Sequence, residues 1–125
     1  MTQIIVVGGF IIAAIINLLP LMGVIGAPQL EKMYGVSVQG SDMAVLLRHR
    51  AVLFGIVGGL LMAAAFVPSL RVTAFVAGMI SMISFLVFRV LEGDGNEALA
   101  RVALVDYAGI VALAIAGAVA YTQST

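Results

Sequence analysis

The stretch LLRHRAVLFGIVGGLLMAAAFVP, residues 46–68, joins a basic head to a long apolar body. Arg48, His49 and Arg50 form the head, and no charged residue follows between positions 51 and 67. An arginine at the centre of a membrane helix costs about 2.5–3.5 kcal/mol on insertion scales, so charge is kept near the helix ends. The pattern therefore predicts a membrane-spanning helix with a polar group held at one end.

The composition of the whole chain agrees with this prediction. Of its 125 residues, 63% are hydrophobic and 10% are charged, whereas a soluble domain has about 25% charged residues. The formal net charge is zero, so no basic surface for nucleic acid is expected. The chain has no cysteine and one histidine, which excludes disulfides, thiolate metal ligands and a histidine-rich metal site within one chain.

Three further apolar segments flank this stretch. The four predicted spans, each near the length of about 20 residues that crosses a bilayer, cover approximately residues 4–24, 43–67, 70–91 and 98–121. Between the first two spans, the amphipathic residues 29–34 predict a short interfacial helix. The expected fold is all-α, an integral membrane four-helix bundle in one domain, residues 1–125. The first span lacks a basic leader and a cleavage site, so we expect it to be retained.

The basic residues divide unequally between the two ends of the predicted bundle. One end, with both termini and the connection near Pro68, holds Arg71. The other end holds five basic residues: Lys32, Arg48, Arg50, Arg89 and Arg101. The positive-inside rule makes this second end cytoplasmic, which places both termini on the non-cytoplasmic side of the cell (inner) membrane.

Each predicted span carries one polar group at a similar depth toward the basic end. With the 1.5 Å rise of an α-helix, Arg48 lies roughly 8 Å into the second span and Asp106 roughly 13 Å into the fourth. Asn17 of the first span lies roughly 12 Å from that end, and Arg89 of the third lies within about one turn of it. Together they predict a polar layer, and ionisable groups within a membrane are functional-site hypotheses by default.

Helical phase predicts which arginine of the second span points into the bundle. Arg48 shares a stripe with Gly55 and Gly59, a GxxxG pair of the kind that allows close helix contact. Arg48 is therefore expected to point inward. Arg50 lies on a more generally apolar face and is expected to reach toward the lipid headgroups.

Seven residues form the predicted ligand-binding site: Asn17, Arg48, His49, Met82, Phe85, Arg89 and Asp106. Asp106 is expected to pair with Arg48 or Arg89, and the sequence leaves open whether this pair is purely structural. Asn17 is also compatible with a helix–helix hydrogen bond, and His49 with an interfacial position. The sequence indicates no metal ligands, and it does not identify which residue, if any, is catalytic.

Two segments carry a family resemblance. LEKMYG at residues 30–35 and LLRHRAVLFG at residues 46–55, together with the four-span layout, resemble small DoxX-like bacterial membrane proteins. Proteins of that family have four membrane helices, and some are associated with quinone-linked oxidation or oxidative-stress complexes. In architecture alone, the chain is also similar to the four-helix sterol isomerase and sigma-2 receptor group, whose ligands meet acidic residues in the bundle. Asp106 is the one clear carboxylate of that kind here, so the likeness implies no two-carboxylate mechanism.

The predicted function is to bind an amphipathic, quinone-like or lipid-like molecule, or to serve as an accessory subunit of a larger membrane complex. The ligand's polar end is expected at Arg48, Arg89 and Asp106. One alternative is a membrane enzyme acting on a lipid-like substrate, with Asp106 as acid or base and His49 as its partner. Another is a small homo-oligomeric transporter. Membrane lipid is the expected partner, and no resident cofactor is expected.

Overall fold

The computed structural model describes residues 2–26, 28, 31–32, 35, 40–93 and 97–124. Across these residues the chain forms four long α-helices and contains no β-strand. The helices are α1 (Thr2–Leu18), α2 (Ser41–Phe66), α3 (Arg71–Leu91) and α4 (Glu97–Ser124). The prediction of an all-helical protein with four long helices is confirmed.

Every one of the four helices is long and apolar enough to cross a membrane. The segments that satisfy this condition lie close to the spans expected from the sequence, and they are Thr2–Met22, Ser41–Phe66, Pro68–Leu91 and Glu97–Gln123.

Prolines and a glycine set the helix ends. After α1 the chain continues as a 3-10 helix, Leu19–Ile25, with Pro20 near its start, because a proline cannot support a regular α-helical turn before it. Val67 precedes Pro68 and is extended (φ −120°, ψ 97°), which ends α2. Gly93 takes a φ of 89° after α3, a conformation that favours glycine.

The interfacial helix expected at residues 29–34 lies mostly outside the described residues. Glu31 and Lys32 are described, and both are helical. The N–H of Gly35 donates to the carbonyl oxygen of Glu31 at 2.8 Å, which is one turn of helical hydrogen bonding.

The helices form a ring in which α1 packs against α2 and α4, and α3 packs against the same two. The largest fully buried side chains include one from each helix: Phe10, Leu61, Met82 and Leu113. The centre of the core lies over Gly78, where an added Cβ would be 3.0 Å from Leu113 and 3.1 Å from Leu61. The side chains of Leu61 on α2 and Leu113 on α4 therefore pack into the space that a side chain at Gly78 of α3 would occupy.

Two other glycines mark the closest approaches of α1. A Cβ at Gly9 would lie 2.5 Å from the Cβ of Ala116 and 2.7 Å from the carbonyl oxygen of Ala112, both on α4. A Cβ at Gly58 of α2 would lie 2.6 Å from the Cγ of Leu18. Close backbone approach through small residues is how membrane helices commonly pack, since lipid gives them little hydrophobic drive to associate.

The prediction that Gly55 and Gly59 form the close contact of α2 is wrong for Gly59. A Cβ at Gly55 would meet Leu21 at 2.7 Å, but Gly59 is exposed, and a Cβ added there would meet no other part of the described chain within 4 Å. Gly58 takes its place. The face of α2 that packs in the bundle is therefore turned by about one residue, roughly 100°, from the predicted face.

Candidate functional site

A hydrogen-bonded polar layer joins α1 to α3. Asn17 is 1% exposed, and its Nδ2 donates to the carbonyl oxygen of Ala13 at 2.9 Å. The hydroxyl of Ser81 donates to Asn17 Oδ1 at 2.8 Å. One turn further along α3, the hydroxyl of Ser84 donates to the carbonyl oxygen of Ser81 at 3.2 Å. Asn17 thus has partners for both ends of its amide, as a buried polar group requires.

Arg50 of α2 brings a positive charge to this layer. Its side chain is half-buried, and its guanidinium carbon lies 4.7 Å from the centre of the Phe54 ring, within the range of a cation–π contact. The charge of Arg50 also acts on Asp106 of α4, which is 8% exposed. Asp106 is buried as expected, and its predicted pairing with Arg48 or Arg89 stays a prediction.

Arg50 and the two serines line a groove between α2 and α3. The groove has a volume of about 210 Å³, and the described residues that line it are Arg50, Leu53, Phe54, Val57, Ser81 and Ser84. Both serine hydroxyl hydrogens are donated within the protein, so these oxygens offer acceptor lone pairs to a ligand. Arg50 offers N–H donors and a positive charge. The groove could bind the small polar head of a ligand, with Leu53, Phe54 and Val57 as its apolar walls.

The seven predicted site residues divide into three groups in the structure. Asn17 belongs to the polar layer, and Asp106 is buried on α4. Arg48 and His49 are exposed, so the expectation that Arg48 points into the bundle is wrong. The reason is the rotation of α2, which also makes Gly58, and not Gly59, the glycine that packs against α1.

The remaining predicted residues lie on α3. Met82 is buried in the core, where its sulfur would be 2.6 Å from a Cβ added at Gly109, so it packs between α3 and α4. Phe85 is half-buried. Arg89 is also half-buried, and its Nε atom is enclosed by protein.

Sequence reasoning missed Arg50, Ser81 and Ser84 as members of the layer. The two serines stand three residues apart on an otherwise apolar helix, which places them on one face. A further signal was the small residues Ala51, Gly58 and Ala65, which recur every seven residues along α2 and are all buried. This repeat identifies the packed face of α2, next to which Arg50 lies.

A second and larger cavity opens at the opposite end of the bundle. Its volume is about 640 Å³, and it lies where α1 begins, α3 begins and α4 ends. The described residues that line it are Gln3, Phe10, Pro68, Arg71, Val72, Phe75, Gly117, Ala120, Tyr121 and Gln123. No residue of the predicted site is among them.

Within residues 2–26, 40–93 and 97–124, no three His, Asp or Glu side chains come together as a metal site would need.

No protein-family model, curated protein or solved structure matches the chain.

Proposed function

We propose that the chain is an integral membrane protein whose four helices cross the cell membrane, the inner membrane of a bacterium. Support comes from large apolar side chains that are exposed on every helix, such as Ile12 (48%), Ile56 (62%), Ile80 (64%) and Ile115 (51%). A water-soluble monomer rarely exposes apolar patches larger than a few hundred Å². In a lipid environment these exposed apolar side chains do not contact water. The polar layer inside the bundle is then the unfavourable feature that a function would explain.

We propose that the groove between α2 and α3 binds the polar head of an amphipathic molecule, quinone-like or lipid-like. The observation that carries this proposal is the placement of Arg50 with Ser81 and Ser84 in a groove whose other walls are apolar. Small-molecule sites typically combine apolar walls with a few convergent polar groups. Ionisable groups inside membrane segments are expensive and commonly mark functional sites.

The groove's size and chemistry specify how the ligand lies. A volume of about 210 Å³ suits a head group rather than a whole lipid, so the apolar tail would extend along the outer surface of the bundle. Arg50 would donate to carbonyl, carboxylate or phosphate oxygens of the head, and the serine oxygens would accept from its hydroxyls. Asp106 of α4 is buried and lies within reach of the charge of Arg50.

The DoxX-like resemblance, the accessory-subunit role and the transporter alternative stay predictions. The enzyme alternative, with Asp106 as its acid or base, also stays a prediction. Its candidate partner His49 is exposed on α2.

The test is mass spectrometry of molecules extracted from the gently solubilised protein and from two variants, Arg50→Gln and Arg48→Gln. The two arginines stand on the same helix and two residues apart, so Arg48→Gln is a matched control for the loss of charge. We expect the native protein and Arg48→Gln to retain the same quinone or lipid, and Arg50→Gln to lose it. Retention by Arg50→Gln, or loss from both variants while both remain folded, would contradict the proposal.

A further inference from the structure

The 640 Å³ cavity has the composition of an amphiphile site at the end of the bundle away from Arg50. Apolar side chains such as Phe10, Val72 and Phe75 form its walls, and polar side chains from both chain ends lie at its edge. Its volume falls within the range of about 300–1,000 Å³ that is usual for small-molecule sites. It is therefore large enough for part of an acyl chain.

Arg71 supplies the charge in this cavity and is held in a fixed position. Its Nε donates to the carbonyl oxygen of Ala64 at 3.0 Å, and its Nη2 donates to the carbonyl oxygen of Ala65 at 3.0 Å. These carbonyls belong to the last turn of α2, where a cation is also favoured by the helix dipole. Arg71 thus caps α2, and this structural role alone would explain the two hydrogen bonds.

The capping bonds leave Arg71 able to bind a ligand. A guanidinium has five N–H donors, so about three remain after the two bonds to α2. Neutral carbonyls do not cancel its positive charge. Among the described lining residues, Arg71 is the one charged side chain and none is acidic. The cavity therefore presents an uncompensated positive charge beside apolar walls, which complements a negatively charged head with an apolar tail.

We propose that this cavity binds an anionic amphiphile, with its carboxylate or phosphate at Arg71 and its acyl chain against Phe10 and Phe75. Arg71 is the first residue of α3, so its charge lies at an end of the bundle. The site lies on α1, α3 and α4 at the far end from the Arg50 groove. This proposal is therefore independent of the function proposed above.

The binding test uses purified protein in a non-ionic detergent, with oleate as the probe and methyl oleate as its uncharged match. Native mass spectrometry gives the dissociation constants. Loss of a charged hydrogen bond typically weakens binding by about tenfold or more. The reference is the binding of oleate to the native protein. We expect methyl oleate to bind the native protein about tenfold more weakly than this. We also expect oleate to bind Arg71→Gln about tenfold more weakly. Arg101→Gln, which removes an exposed arginine at the opposite end, should bind oleate normally.

Phosphatidic acid and phosphatidylcholine distinguish the two sources of the anionic head. Displacement of oleate by phosphatidic acid but not by phosphatidylcholine identifies a phospholipid phosphate as the ligand group. If oleate binds through Arg71 and neither phospholipid displaces it, the ligand is a free fatty acid.

A second variant keeps the proposal testable if Arg71→Gln fails to fold without its capping bonds. Ala120→Leu places a larger side chain in the cavity and leaves Arg71 intact, whereas Ala118→Leu makes the same change on the exposed face of α4. Ala120→Leu should weaken oleate binding by about tenfold, and Ala118→Leu should not. Unchanged oleate binding by folded Arg71→Gln or by Ala120→Leu, or equal binding of methyl oleate, would overturn the proposal.

Discussion

At the scale of single residues, the structure distinguishes two arginines that look alike in the sequence. Arg48 and Arg50 are about 200° apart around α2, so they point in nearly opposite directions. Arg50 is the one that contacts Phe54, lines the groove and acts on Asp106, while Arg48 is exposed. The identity of the inward-facing arginine therefore depends on the rotation of one helix.

The hydrogen bond between Ser81 and Asn17 gives a prediction at the same scale. Ser81→Ala removes the donor to Asn17 Oδ1 and leaves a buried acceptor without that bond. We expect a loss of about 0.5–2 kcal/mol in the free energy of unfolding, since side-chain hydrogen bonds between membrane helices average about 0.6 kcal/mol and an unsatisfied buried group costs more. The measurement is unfolding by SDS titration in mixed micelles.

Ser84→Ala is the matched control for this change. It removes the same hydroxyl one turn away, but that hydroxyl bonds within α3, so we expect a smaller loss. A loss for Ser84→Ala as large as that for Ser81→Ala would contradict the role given to the bond between α1 and α3.

At the scale of elements, substitutions at two neighbouring glycines show which face of a helix is packed, and therefore how the helix is rotated. In α2, Gly58 faces Leu18 and Gly59 faces outward. Gly58→Ala should destabilise the protein by about 1–3 kcal/mol, because the added methyl group overpacks the contact with α1. Gly59→Ala should be neutral or stabilising by up to about 1 kcal/mol, because alanine favours the helix. Thermal unfolding in detergent measures both, and the reverse order of stabilities would show that α2 is rotated differently.

A second pair of glycines tests the contact between α1 and α4. Gly9 has no room for a Cβ against Ala116 and the backbone of Ala112, while a Cβ added at Gly8 would meet none of the described residues of other helices within 4 Å. The backbone atom cannot move aside as a flexible side chain would, so we expect Gly9→Ala to cost about 1–3 kcal/mol. Gly8→Ala should leave the melting temperature unchanged or raise it. Equal effects of the two changes would mean that α1 does not approach α4 through Gly9.

The sequence predicted the helices well because their signals are local. Charge-free length, Pro20, Pro68 and Gly93 set where the helices lie and end. The rotation of α2 is not a local property, since its apolar residues are distributed almost evenly around the helix. Lipid and protein core are both apolar, so hydrophobicity alone does not say which face is packed. Asp106 was placed correctly because small residues share its face, whereas the GxxxG pair of α2 predicted the wrong face.

At the scale of the whole molecule, the two ends of the bundle differ in their polar chemistry. One half holds the hydrogen bond between Asn17 and Ser81 with Arg50 in the groove beside it, and the other end holds the cavity beside Arg71. The sequence predicted the first only in part: it placed Asn17 in the polar layer but missed Ser81 and Arg50. The cavity was not predictable, because it is lined by residues that lie far apart in the sequence, on α1, α3 and α4.

The orientation of the chain in the membrane is a prediction of its own. The basic bias of five residues to one places residues near position 95 in the cytoplasm and the C-terminus outside it. The chain has no cysteine, so single variants Gly95→Cys and Thr125→Cys can be labelled without background. An impermeant thiol reagent added to intact cells should label Thr125→Cys and leave Gly95→Cys unlabelled. The opposite pattern would reverse the orientation.

A pair of double-mutant cycles measures which arginine acts together with Asp106. One cycle combines Arg50→Gln with Asp106→Asn, and the other combines Arg48→Gln with Asp106→Asn. The free energy of unfolding in detergent is measured for every variant. We predict a coupling of at least about 0.5 kcal/mol between Arg50 and Asp106, and additivity within about 0.3–0.5 kcal/mol between Arg48 and Asp106. Additivity in the first cycle, or coupling in the second alone, would contradict the inward position of Arg50 on which the proposed binding groove depends.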